Sequence, residues 1–405
     1  MKRAWWLVVL CFCGILSAQE VRRALPVTAG PDADLAAFLA GRPVGPGSPL
    51  ERLQESRAYA RHQQEMHALW GHYNGRYFEP MRLWSAAELS SRIAMNRPLT
   101  YFFGGPDAVS ALGLFPDAPV YLLSGLEPVG EIAPPQSLAT RELEASLATL
   151  RVSVKTILSF GHFITKDMKH DLESSSFRGA LPVLFTFVSL TGGEILSCSY
   201  FSINKEGVAA DTGNRLPTQG IPGVRILFRR SSVFPPQTLI YTQANVANGS
   251  LGADPALFRW VASFGRGNAW LKAASYLLHE SEFSRMRAFL LAQSDAILQD
   301  DSGVPMQAFL DGSWRLWFFG AYSGVLDIFQ KYYQQKMADA FAAPPGPLPL
   351  PFGTGYKWRL GESHLLLAVR SEPPRALPTA PEPASMPAPM LTPAESGLPT
   401  ILLRP

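Results

Sequence analysis

A glycine turn and a later carboxylate are the features of this chain whose types and spacing suggest chemistry. Gly104-Gly105-Pro106-Asp107 follows the apolar run Leu99-Thr100-Tyr101-Phe102-Phe103. Glu127 stands about twenty residues further on, after Val120-Tyr121-Leu122-Leu123-Ser124-Gly125-Leu126. Glycines let backbone approach a ligand, and an acid at that remove accepts hydrogen bonds from ribose-type hydroxyls, as in nucleotide-binding α/β units. The turn lacks the pattern G-x-G-x-x-G, and Asp107 in the first turn of the next helix would satisfy the helix dipole and repel a phosphate. A ligand with hydroxyls or positive charge, nucleoside-like or sulfonium-like, therefore suits the turn better than a pyrophosphate. A structural account of the same residues stands beside this one, with Pro106 as a favoured first helical residue, Asp107 as a dipole partner and Glu127 as a surface acid.

Asp300-Asp301-Ser302-Gly303 is the second candidate, because the preceding run Ala296-Ile297-Leu298-Gln299 would deliver two carboxylates to the carboxyl edge of a sheet, where α/β proteins bind ligands. Adjacent acids on a strand do not face one point, and a turn built on Asp and Gly explains them more simply. Magnesium or calcium needs more oxygen ligands than this motif supplies. His62, His67 and His72 are spaced by five, which scatters them around a helix. With no H-E-x-x-H and no paired cysteines, no metal is expected, and no cofactor follows from these residues. Gly361-Glu362-Ser363-His364 lacks the second glycine of a nucleophile elbow. His279, His364, Lys272 and Arg178 stand as isolated candidates, each also explained by an ordinary structural partner.

The elements that must position these residues alternate. Glu51 to Trp70 reads as an amphipathic helix, and Ser85-Ala86-Ala87-Glu88 as a capping box that starts another. Strand 99–103, glycine turn, short helix ended by Pro116, strand 120–126 and acid form the order of a parallel βαβ unit, whose right-handed crossover sets the two strands side by side. Further strands are expected over 194–202, 224–229, 238–242, 296–299 and 314–319, and helices around Phe283-Met286-Leu290 and over 325–341. The stretch 269–279 fits helix and strand equally. The expected fold class is α/β: a Rossmann-like mixed sheet over 99–360, an added N-terminal helical region over 19–98, and a C-terminal segment over 361–405 whose proline-rich part is disordered.

In the unit 99–127 the chain resembles the first third of a class I methyltransferase, without that family's glycine pattern. Phe103-Gly104-Gly105-Pro106-Asp107, Tyr121 to Gly130, Leu271 to His279 and Gln299 to Pro305 together resemble a family of exported bacterial proteins with no assigned activity. That second resemblance spans most of 75–360. It implies a single folded domain and supplies no catalytic residue.

The ends of the chain bear on location. Lys2 and Arg3 precede an apolar run from Ala4 to Ala18 that is short for a membrane span, which reads as a signal peptide cleaved after Ala18 and predicts a periplasmic or extracellular protein. Its removal takes two bases and no acid, so the formal charge falls from +3 to +1. A nearly neutral chain lacks the attraction on which nonspecific nucleic-acid binding depends, and no later run is long enough to span a membrane. Cys11 and Cys13 leave with the signal, so Cys198 has no partner within the chain and reads as a buried inert thiol. Residues 371–405 carry ten prolines and few large apolar side chains, too little to offset the entropy of ordering them. The functional expectation is binding of a small polar metabolite at the carboxyl edge of the sheet, with room for transferase chemistry. The rival is a noncatalytic cell-envelope scaffold or interaction protein.

Overall fold

The computed structural model describes residues 30–160, 175–230 and 233–371. The expected signal peptide and the proline-rich tail beyond Ser371 lie outside the described residues. Ten strands among the described residues join one mixed sheet: β1 (Leu99–Phe102), β2 (Val120–Gly125), β3 (Glu194–Ile203), β4 (Ala209–Gly213), β5 (Ile221–Arg230), β6 (Val233–Gln243), β7 (Gly267–Leu271), β8 (Ser294–Gln299), β9 (Trp314–Gly320) and β10 (His364–Arg370). Their order is β4-β3-β5-β6-β2-β1-β7-β8-β10-β9. The five central strands from β6 to β8 run parallel. Antiparallel strands extend the sheet on both sides. The expected βαβ unit is present, with Leu99 paired to Tyr121 in parallel register.

Parallel strands covered on both faces must be apolar on both faces, and β1 and β7 are buried along their whole length. Alternation sends their side chains into two layers. Tyr101, Tyr121, Leu123 and Trp270 enter the larger core, which they share with the helices Pro31–Leu39, Arg57–Tyr73, Glu79–Trp84, Ala108–Leu114, Thr140–Phe160 and Leu181–Leu190. Phe102, Leu122, Ala269 and Leu271 enter the second core, closed by helices Ala256–Ala262, Ser284–Gln293 and Gln335–Ala342. The winding reverses at β1, which lies between β2 and β7. A crevice opens at such a switch point above the carboxyl ends of the strands.

Several local expectations change. The helix read over 51–70 is broken at Glu55–Ser56, and Ser56 caps the second piece by accepting from the Tyr59 N–H. Ser85 starts no helix. Its hydroxyl donates to the Leu114 carbonyl, and 85–89 continues the preceding helix as a wider turn. The stretch 325–341 divides into a 3₁₀ segment, Asp327–Tyr332, and the helix Gln335–Ala342. The stretch 269–279 contains the end of β7, an irregular turn and a 3₁₀ turn, Leu277–His279. β10 lies within the segment read as following the α/β domain, yet it pairs with both β8 and β9. Cys198, expected to be buried, is only half-buried on β3; its thiol is pushed up to about 12 by burial and then by Asp32.

Candidate functional site

The crevice at the switch point is a cleft of about 130 Å³ over the carboxyl ends of β1, β2, β6 and β7. Gly105 and Glu127 both line it. Phe103, Phe283 and Leu277 supply apolar walls, and Asn245 and Ser275 supply polar edges. Phe103 and Phe283 meet edge to face at 6.1 Å. Leu126 is more than half exposed at the rim, an apolar side chain left open to solvent.

Backbone conformation sets this region apart. Among the described residues four that are not glycine have left-handed φ: Phe103 at 68°, Ala273 at 49°, Ser275 at 53° and Tyr276 at 55°. Phe103, Ala273 and Ser275 line the cleft, and Tyr276 follows directly. A side-chain-bearing residue in this region is strained, so its surroundings must impose the conformation.

Those surroundings are visible at the turn after β7. Ala273 donates its N–H to Asp300 Oδ2 at 2.8 Å, Ala274 to Ser302 Oγ at 2.7 Å, and Ser275 to Tyr356 Oη at 3.1 Å. The Tyr276 hydroxyl donates to Asp301 Oδ2 at 2.8 Å. Four acceptors from two other stretches of chain, 300–302 and Tyr356, thus fix four successive residues. Burial, followed by the neighbouring Asp301, raises the Asp300 carboxyl above the ordinary range. The Asp301 N–H donates to His364 Nε2 at 3.2 Å, and that nitrogen lies 3.4 Å from Asp301 Oδ1. The two aspartates face different partners and brace the cleft wall; neither lines the cleft.

Glu127 is 2% exposed. The Tyr241 hydroxyl donates to its carbonyl at 2.9 Å and lies 3.3 Å from Oε2. This arrangement requires glycine at 125, because a Cβ there would stand 2.3 Å from Glu127 Oε2 and 2.9 Å from Gly105 Cα. Gly105 itself has φ 54°, a conformation that favours glycine. Gly104 packs flat on the Tyr101 ring, where a Cβ would come within 2.3 Å.

Asp107 goes elsewhere. It is the N-cap of helix Ala108–Leu114 rather than a residue of its first turn, and it does not line the cleft. Its carboxylate pairs with buried Lys272 and accepts from the Tyr101 hydroxyl at 3.0 Å. The ion pair ties the turn after β1 to the turn after β7, the two turns that bear the strained residues. Among the described residues no group of three His, Cys, Asp or Glu side chains could hold a metal, and no helix is long and apolar enough to cross a membrane.

No protein-family model, curated protein or solved structure matches this chain. The chemistry must therefore be read from the site itself. Glu127 is the cleft's carboxylate, able to accept hydrogen bonds from hydroxyls or to face a cation. Of the six residues singled out in the sequence, Gly105 and Glu127 meet in the cleft, Gly104 supports the turn, and Asp107, Asp300 and Asp301 hold its two flanking turns. The segment Ala273 to Tyr276 was missed, because Ala-Ala-Ser-Tyr carries no glycine or asparagine to signal a left-handed backbone.

Proposed function

We propose that this protein binds a small polar metabolite, nucleoside-like or sulfonium-like, in the cleft between Gly105 and Glu127. The gathering of left-handed, non-glycine residues around that cleft carries the reading, since backbone strain imposed by buried acceptors is a mark of preorganised sites. Apolar rings offer a face to a planar group while the Glu127 carboxylate accepts from its polar edge. Transfer of a group from such a ligand is the chemistry this reading admits. Strand order supports it: the parallel run β6-β2-β1-β7-β8 gathers its carboxyl ends at the cleft, the edge of an α/β sheet where ligands bind. Export to the periplasm or medium belongs to the same proposal and rests on the basic head and apolar run at residues 2–18.

Thermal-shift screening of the full chain against nucleosides, sulfonium compounds, sugars and divalent cations tests the reading, because a ligand of the native state raises its apparent stability. A nucleoside or sulfonium compound should raise the midpoint, and Glu127→Gln should bind it several-fold more weakly at unchanged stability. That loss corresponds to one charge-assisted hydrogen bond, roughly 1.5–3 kcal/mol. Unchanged affinity in the variant would remove Glu127 from the site.

A noncatalytic scaffold is the second reading. The observation that favours it is the engagement of Asp107, Asp300 and Asp301 in holding turns, which leaves no aspartate of the motifs facing the cleft. An empty screen would put this reading ahead.

A further inference from the structure

A second hollow, of about 410 Å³, adjoins the cleft past the end of β6. Ala244 and Asn245, which close one side of the cleft, also line this hollow. This outer hollow is bounded by the β3–β4 turn, the start of β5 and the start of helix Ala256–Ala262. Two residues therefore form a wall common to both spaces. The inner hollow, at about 130 Å³, is smaller than ordinary ligand pockets of roughly 300–1,000 Å³, whereas the outer one falls within that range. A ring-sized group fills the first, and the second has room for the remainder of a larger ligand.

The charges of the two spaces are opposite. Glu127 in the inner hollow accepts from the Tyr241 hydroxyl and pairs with no cation among the described residues. In the outer hollow Asp254 is neutralised by Arg259, while the Lys205 ammonium has no acidic partner among the described residues. Arg259 also donates to the carbonyls of Lys205 at 2.6 Å and Glu206 at 3.2 Å, so the turn that carries Lys205 is anchored. Among the lining residues, the unpaired charge is a carboxylate in the inner hollow and an ammonium in the outer one.

We infer that the two hollows are one site for an elongated ligand, with a planar hydrogen-donating end against Glu127 and an anionic group toward Lys205. This inference rests on the cleft reading above and extends it to a ligand class: a nucleoside or similar heterocycle bearing a phosphate or carboxylate. The strands β3 to β5, inserted along the chain between β2 and β6, supply one side of the outer hollow.

Calorimetric titration of the full chain with adenosine and with adenosine 5′-monophosphate tests it, since the two probes differ only in the anionic group. Adenosine should bind, and the monophosphate at least five-fold more tightly. Lys205→Ala, on an exposed turn, should abolish that advantage and leave adenosine binding unchanged. Ala244→Phe should weaken the monophosphate more than adenosine by narrowing the passage, and Glu127→Gln should weaken both. Equal affinity for the two probes, or an advantage that survives Lys205→Ala, overturns the two-part site while the cleft reading stands on the Glu127 variant. Binding of neither probe overturns the two-part site, and the cleft reading is then decided by the sulfonium compounds of the thermal-shift screen.

Discussion

The Ala273 N–H points at Asp300 Oδ2 across 2.8 Å, joining the end of β7 to the end of β8. Asp300 also accepts from the Ser302 N–H at 3.0 Å and from the Ser302 hydroxyl. Asp300→Ala would leave these buried donors without an acceptor and should lower stability by about 3 kcal/mol in urea unfolding. Asp300→Asn keeps one acceptor oxygen and should lose less. Equal losses in the two variants would show that one acceptor oxygen alone does not hold the turn, and no loss in Asp300→Asn would show that the second oxygen does nothing for it.

Strain at Ala273 gives an outcome opposite in sign to the usual one. A left-handed φ of 49° costs a residue with a Cβ roughly 1–2 kcal/mol, which exceeds the entropic penalty of about 0.5–1 kcal/mol for introducing glycine. Ala273→Gly should therefore be neutral or stabilising by up to about 1 kcal/mol. Ala145→Gly, on the exposed side of helix Thr140–Phe160, should destabilise by about 1 kcal/mol. Thermal unfolding of the two variants side by side checks the contrast.

The parallel core was legible because strands buried on both faces must be apolar runs, and 99–103 and 120–126 are such runs with a glycine turn and a short helix between them. Helix Thr140–Phe160 was legible and overlooked: Leu143, Leu147, Leu150, Val154 and Ile157 recur at alternating steps of four and three, and all are buried. β10 was hidden by its pairing, since Leu365 to Val369 come last among the described strands and insert between two earlier ones. At the site, spacing found Gly105 and Glu127. It could not find the work of Asp300, Ser302 and Tyr356, whose partners are backbone N–H groups 27, 28 and 81 residues away.

His62 supplies a pH dependence. It is fully buried, with Nε2 donating to the Leu39 carbonyl at 3.0 Å and Nδ1 accepting from Arg151 at 3.1 Å, an arrangement that requires the neutral ring. Burial, with Arg151 adding to it, lowers the imidazole to about 4 from the ordinary 6.5. Because the unfolded chain binds this proton first, the contribution is complete above pH 6.5 and is lost as pH falls from 6.5 to about 4. The loss is roughly 3 kcal/mol at pH 4. Guanidinium unfolding at pH 7 and pH 4 should show His62→Gln losing about that much less than the parent between the two pH values.

Lys272 and Asp107 are both almost fully buried and paired, and Asp107 Oδ1 has no hydrogen-bond partner. Removing one charge strands the other, so Lys272→Met should destabilise by about 3–5 kcal/mol. Asp107→Asn keeps an acceptor for the Tyr101 hydroxyl, and adding it to Lys272→Met removes the stranded charge. The double variant should therefore be more stable than Lys272→Met alone, a coupling that a double-mutant cycle measures directly. The same variants separate two roles for Asp107. As a clamp between the turns after β1 and β7, it can be neutralised together with Lys272 and adenosine should bind the double variant as it binds the parent. As a ligand group it could not, and a several-fold loss of adenosine affinity in the stable double variant would return Asp107 to the cleft.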